Sequence, residues 1–70
     1  MTLMDLIDTD VVVELRGVDS VPDGVYRVHI LDLDQTGFIR VRFGQIRFHD
    51  GFTNPGRVVW LNKNAIVTIE

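Results

Sequence analysis

Twice along this chain the apolar residues change parity inside one extended run. Between Val25 and Asp34, Tyr26, Val28 and Ile30 hold one parity, and Leu31 and Leu33 hold the other. Between Phe38 and Phe48, Ile39, Val41 and Phe43 precede Gly44, and Ile46 and Phe48 take over after it. Strict alternation marks a half-buried strand, and a flip within it requires a bulge or sharp bend if the apolar side chains are to stay on one side. Gly44 is where a curved strand tolerates such a bend. Two long, bent strands predict a small sheet that curls into a closed barrel.

The remaining segments are shorter. Val11–Arg16 alternates, with Val11, Val13 and Leu15 facing inward. Pro22-Asp23-Gly24 is a turn signal, and Gln35-Thr36-Gly37 is a tight connection between the two long strands. His49–Gly56 reads as a loop, Arg57–Asn62 as a fourth strand, Lys63-Asn64 as a turn and Ala65–Glu70 as a fifth strand. At the start, Thr2 can cap and Asp5 follows three residues later, with Leu3, Leu6 and Ile7 at helical spacing. A short helix over about residues 2–8 is expected. At roughly two turns it must lie on an apolar surface to be stable. The expected fold is therefore all-β: a short N-terminal helix followed by a strongly bent, five-stranded antiparallel SH3-like barrel over about residues 11–70. No repeat or linker divides it, so one domain is expected.

Seventy residues without cysteine leave few sources of stability. A domain near this length buries only about 60% of the surface its unfolded chain exposes. Disulfides, metals or oligomerisation usually supply the rest. Disulfides are excluded here, and neither His29 nor His49 belongs to a metal-binding motif. Self-association is thus the favoured solution. The run Val58-Val59-Trp60-Leu61 is apolar on both faces, whereas a half-buried strand should alternate. Its second face lies either under the N-terminal helix or against another subunit, and the size argument favours the subunit.

The chemistry of catalysis is sparse. Ser20 is the only serine and lacks a nucleophile-elbow context, and no glycine-rich phosphate loop is present. Asp32 and Asp34 share a strand face, but two aspartates ending a strand are more often solvated turn residues. No catalytic residue, metal ligand or cofactor is assigned, and the chain reads as a non-enzyme. The net charge of −3 argues against a general DNA-coating role, because phosphate contacts need lysine and arginine. Arg40 and Arg42 nevertheless share the outward face of the third strand. They are either a phosphate- or base-contacting pair or an ordinary solvated face. No apolar run reaches the ~20 residues of a membrane span, and no signal sequence is evident, so a cytoplasmic protein with no membrane partner is expected.

The end of the chain carries a local match. Asn62-Lys63-Asn64-Ala65-Ile66 lies between two strands and resembles the second motif of the Sm/LSm family, which takes the form Y-K-H-A-I in the bacterial Hfq proteins. Lys63, Ala65 and Ile66 coincide with that form, and Asn64 stands where it has histidine. The family's first motif, D-x-x-M-N-L-x-L, falls on Asp34–Val41. Asp34 matches, Ile39 and Val41 keep the apolar parity, and Phe38 replaces the asparagine that contacts a base. Asp34-Gln35 also resembles the D-Q of Hfq. The layout of nearly the whole chain is similar to the family's.

The resemblance implies a homo-oligomeric ring, in which the fourth strand pairs with the fifth strand of the next subunit. That places Val58, Val59, Trp60, Leu61, Val67 and Ile69 at the subunit interface. It also implies binding of single-stranded, uridine-rich RNA around the pore. On this reading Phe38 stacks a base, Asn62 and Asn64 meet base edges, Lys63 contacts phosphate and Asp34 orients the loop. Equally, Phe38 fits the core and Lys63-Asn64 a plain turn. The alternative function is an SH3-like protein-interaction or assembly module without RNA binding, docking a partner through Phe52, Trp60 and the Pro55 loop.

Overall fold

A computed structural model describes the backbone at residues 3–51, 53 and 55–70, and side chains from residue 5 onward within that set. Thr2, the side chain of Leu3, and Phe52 of the alternative docking surface lie outside the described residues. The chain is all-β, with five antiparallel strands in one sheet. In chain order they are β1 (Asp10–Leu15), β2 (Gly24–Leu33), β3 (Phe38–Phe43), β4 (Val58–Asn62) and β5 (Ile66–Ile69). Their spatial order is β4-β3-β2-β1-β5.

β1 is the hinge of the architecture. It pairs with β2 along its whole length, from Asp10 opposite His29 to Leu15 opposite Gly24. Its other edge takes β5 at Val13, Glu14 and Leu15, with a register shift at Glu14/Leu15. Alternation puts Val11, Val13 and Leu15 into the core. On β2 the parity change is a real irregularity: its register against β3 shifts between Ile30 and Asp32. That shift returns Leu33 to the core side, where it packs as a half-buried residue.

Two expectations are corrected. The N-terminal helix over about 2–8 is not present; a single 3-10 turn, Leu3–Leu6, stands there instead. The chain reverses at Asp8, which adopts a left-handed φ of 65°, and its amide donates to Ile30 O at 2.7 Å. This reversal stops the helix before its second turn. So short a helix has little stability of its own to oppose it. Leu6 and Ile7 still pack on the core. The barrel, in turn, is not closed. The three-residue 3-10 turn Lys63–Ala65 carries the chain from β4 to β5, and β5 pairs with β1. β4 and β5 therefore remain the two edges of the sheet.

β3 is also shorter than the run Phe38–Phe48. It ends at Phe43, and Ile46 and Phe48 reach the core from irregular backbone beyond Gly44. Phe48 is anchored edge-on against Phe43, with ring centroids 5.5 Å apart, and Phe43 meets Tyr26 edge-on at 5.8 Å. These aromatics, with Val21 of the β1–β2 loop, cover one end of the core. Among the described residues no helix is long and apolar enough to cross a membrane.

Candidate nucleic-acid interface

The two turns that carry the family-like residues meet at one corner of the sheet. The β2–β3 turn is closed by its own backbone: Asp34 N donates to Phe38 O at 2.8 Å, and Gly37 N donates to Asp34 O at 3.2 Å. The Thr36 hydroxyl also donates to the Asp34 carboxylate. Gly37 takes φ of 94°, a conformation that favours glycine. Its missing side chain matters a second time, because a Cβ there would meet Lys63 Cε at 3.3 Å. The stem of Lys63 thus lies over Gly37, and Lys63 N donates to Gly37 O at 2.9 Å.

The second turn is capped from within. Asn62, at the end of β4, accepts from Asn64 N through Oδ1 at 2.9 Å. This is the usual N-cap bond of an asparagine, and it does not use the side-chain NH2 of this exposed residue. Phe38 and Asn62 are direct partners across β3 and β4, so their side chains share a face. Phe38 is 40% exposed, too open for the core position that was its other reading. Asp34, Asn62, Lys63 and Asn64 are all exposed. The five residues are therefore drawn together by the Gly37–Lys63 contact and the Phe38–Asn62 pairing. Gly37 is the member that sequence reasoning passed over. Its signal was a glycine closing a three-residue connection.

The six residues expected at a subunit interface divide by face. Val58, Trp60 and Val67 are exposed, with Trp60 at 49%. Leu61 is buried in the core of its own chain, and Val59 and Ile69 are half-buried against that core. The run Val58–Leu61 is apolar on both faces because one face closes the core and the other is open. A groove of about 240 Å³ runs from Lys63 and Ile39 along β5.

A second polar cluster lies on the outer face near the start of β1. His29 is held by two carboxylates, Asp8 Oδ1 at 2.9 Å from Nε2 and Asp10 Oδ1 at 2.8 Å from Nδ1. Its pKa is raised above the ordinary histidine value, first by the Asp8 hydrogen bond and then by that of Asp10, against smaller opposing effects of desolvation and, last, of Arg42. Sequence reasoning left His29 as a lone strand-face residue, since nothing in the spacing ties it to Asp8 across the chain reversal. Among the described residues no group of His, Asp and Glu is arranged to hold a metal ion. No protein-family model, curated protein or solved structure matches the chain.

Proposed function

We propose that this chain is a subunit of an Sm-like homo-oligomeric ring that binds single-stranded RNA in the cytoplasm, acting by binding and not by catalysis. The observation that carries this reading is the pair of open edges. β4 and β5 each end the sheet, and each has exposed apolar side chains: Val58 and Trp60 on β4, Val67 on β5. An exposed apolar edge is a template for pairing with another strand. Pairing β4 of one copy with β5 of the next is a head-to-tail contact, which yields a ring when the rotation closes.

The corner of Asp34, Phe38, Asn62, Lys63 and Asn64 then recurs once per subunit. It offers an aromatic face, amide groups and a cation, the combination that single strands use for stacking, base-edge contact and phosphate contact. Native mass spectrometry tests the assembly. A single closed oligomer supports the ring, and a monomer at micromolar concentration overturns it. Anisotropy with labelled oligo(U) and oligo(A) tests the ligand. Lys63→Ala is expected to weaken binding and flatten its salt dependence, while leaving the oligomer intact. An unchanged affinity and salt slope would remove Lys63 from the site. The net charge of −3 favours the SH3-like protein-interaction module as the second reading, which a monomer that binds no oligonucleotide at low salt would leave standing.

A further inference from the structure

The outer face holds arginines that the corner does not use, and two of them, Arg27 and Arg42, line one depression. Arg27 and His29 share a face of β2, and His29 stands opposite Arg42 of β3. Arg27, His29 and Arg42 line an open depression of about 350 Å³, together with Asp10, Gly44 and Gly56. That volume lies in the range of small-molecule sites, ~300–1,000 Å³. Arg42 is four positions along β3 from Phe38, roughly 13 Å at the rise of a strand, so this place is separate from the corner.

Two other cations of the molecule are already engaged. Arg57 is bonded to Asp50 at 2.7 Å and lies 4.3 Å over the Phe48 ring, and Arg16 is 3.6 Å from Glu14. Arg27 and Arg42 are exposed, and among the described residues neither makes an ion pair. Asp10 and the neighbouring Asp8 are already turned onto the two nitrogens of His29. Those bonds favour the protonated over the neutral ring of His29. Arg27 and Arg42 balance Asp8 and Asp10 in charge, and the cluster is net positive whenever His29 is protonated. Its two free donors are guanidinium forks on adjacent strands.

The two glycines of the lining leave space beside the arginines. A Cβ at Gly44 would meet nothing within 4 Å, and one at Gly56 would touch only Arg42 Cδ at 4.0 Å. One fork already satisfies the two oxygens of a carboxylate, whereas two forks can grip a phosphate from two sides, at the three terminal oxygens of a monoester or the two non-bridging oxygens of a diester. We propose that the depression between Arg27 and Arg42 is an anion site for the phosphate group of a nucleotide, either free or within a single strand. This site does not depend on the ring.

Amide-resolved NMR titration of the full chain tests it, with UMP and with oligo(U) as probes, and sodium chloride at matched ionic strength as the control. Saturable shifts at the Gly44, Gly56 and Arg42 amides are expected. Arg27→Ala and Arg42→Ala should each weaken the affinity about tenfold or more, the scale of a lost charge-assisted hydrogen bond. Arg42→Lys keeps the charge but loses the fork, and should also bind more weakly. Both side chains are exposed, so the variants' spectra should retain native dispersion. Saturation by UMP assigns a free nucleotide. Saturation by oligo(U) alone, with the same dependence on both arginines, assigns a strand phosphodiester. Shifts no larger than those in sodium chloride, or binding unchanged in both alanine variants, would overturn the site. Failure of Lys63→Ala to alter oligonucleotide binding bears on the corner and leaves this result untouched.

Discussion

The two faces of the same strands have opposite characters. On the inner face of β2 and β3, Val28, Ile30, Ile39, Val41 and Phe43 are at most 2% exposed. On the outer face, Val25 is 64% exposed and Phe38 is 40% exposed, and Arg27, Arg40 and Arg42 are exposed with them. Among the described residues the core buries no polar or charged residue, and it leaves no buried side-chain polar atom without a partner. Packing and desolvation thus account for the inner face completely. They place almost no demand on the outer face, which leaves its aromatic and arginine side chains available for contact with a ligand. The proposed RNA corner and phosphate site both rest on outer-face residues.

The sharpest way to break this comparison is to truncate one residue on each face. Phe43→Ala should cost about 3–5 kcal/mol, since it empties the ring that holds both Tyr26 and Phe48. A domain of this size has only about 4–10 kcal/mol to lose, at ~0.05–0.15 kcal/mol per residue, so the variant should be largely unfolded in mild urea. Arg42→Ala, at the adjacent position of β3, should change the unfolding free energy by under ~0.5 kcal/mol. Equal costs in a urea titration would show that the outer face is structural after all.

A smaller effect is expected at the corner. Gly37→Ala meets both the positive φ of 94° and the Lys63 stem at 3.3 Å. A cost of ~1–2 kcal/mol is expected from the backbone conformation alone. If the Lys63 contact also matters, the variant should lose oligonucleotide affinity beyond what its stability explains. A stability as high as the parent's would show that Gly37 is not what shapes the corner.

The smallest effect concerns the outer-face residue that does have tertiary partners. The raised pKa of His29 means that its clasp with Asp8 and Asp10 stabilises the fold fully below the unfolded value of about 6.5. That contribution is lost as pH rises through the higher folded value. Melting temperature should therefore fall gently as pH increases across this window. Asp8→Asn should flatten the dependence, because asparagine tolerates the left-handed backbone at this position but carries no charge. A pH profile identical in parent and variant would remove Asp8 from the clasp.

Several elements were legible in the residues themselves. The parity flip after Ile30 predicted an irregular strand, and the register shift at Ile30/Asp32 is that irregularity. The alternation Ile39-Arg40-Val41-Arg42-Phe43 set which side chains face outward, and burial follows it position by position. The flip at Gly44 was read as a bend within one strand, yet β3 ends there and Phe48 returns through irregular backbone. Parity records that Phe48 must be buried. It does not record whether a ladder carries it there. Similarly, Leu6 and Ile7 signalled an apolar contact, but helical spacing over so few residues cannot outweigh the reversal at Asp8.

The sequence by itself determined the number of strands, their inward residues and the turns between them, because local periodicity and turn chemistry are short-range properties. It also placed Asp34, Phe38 and Asn62–Asn64 at strand ends. Only the tertiary structure decided that β4 and β5 stay open as edges, that Lys63 lies over Gly37, and that Arg27 and Arg42 flank one depression with His29 clasped beside it. Each of these joins residues far apart in the chain. Their meeting depends on strand order, on the register of each ladder and on the left-handed turn at Asp8, none of which local periodicity encodes.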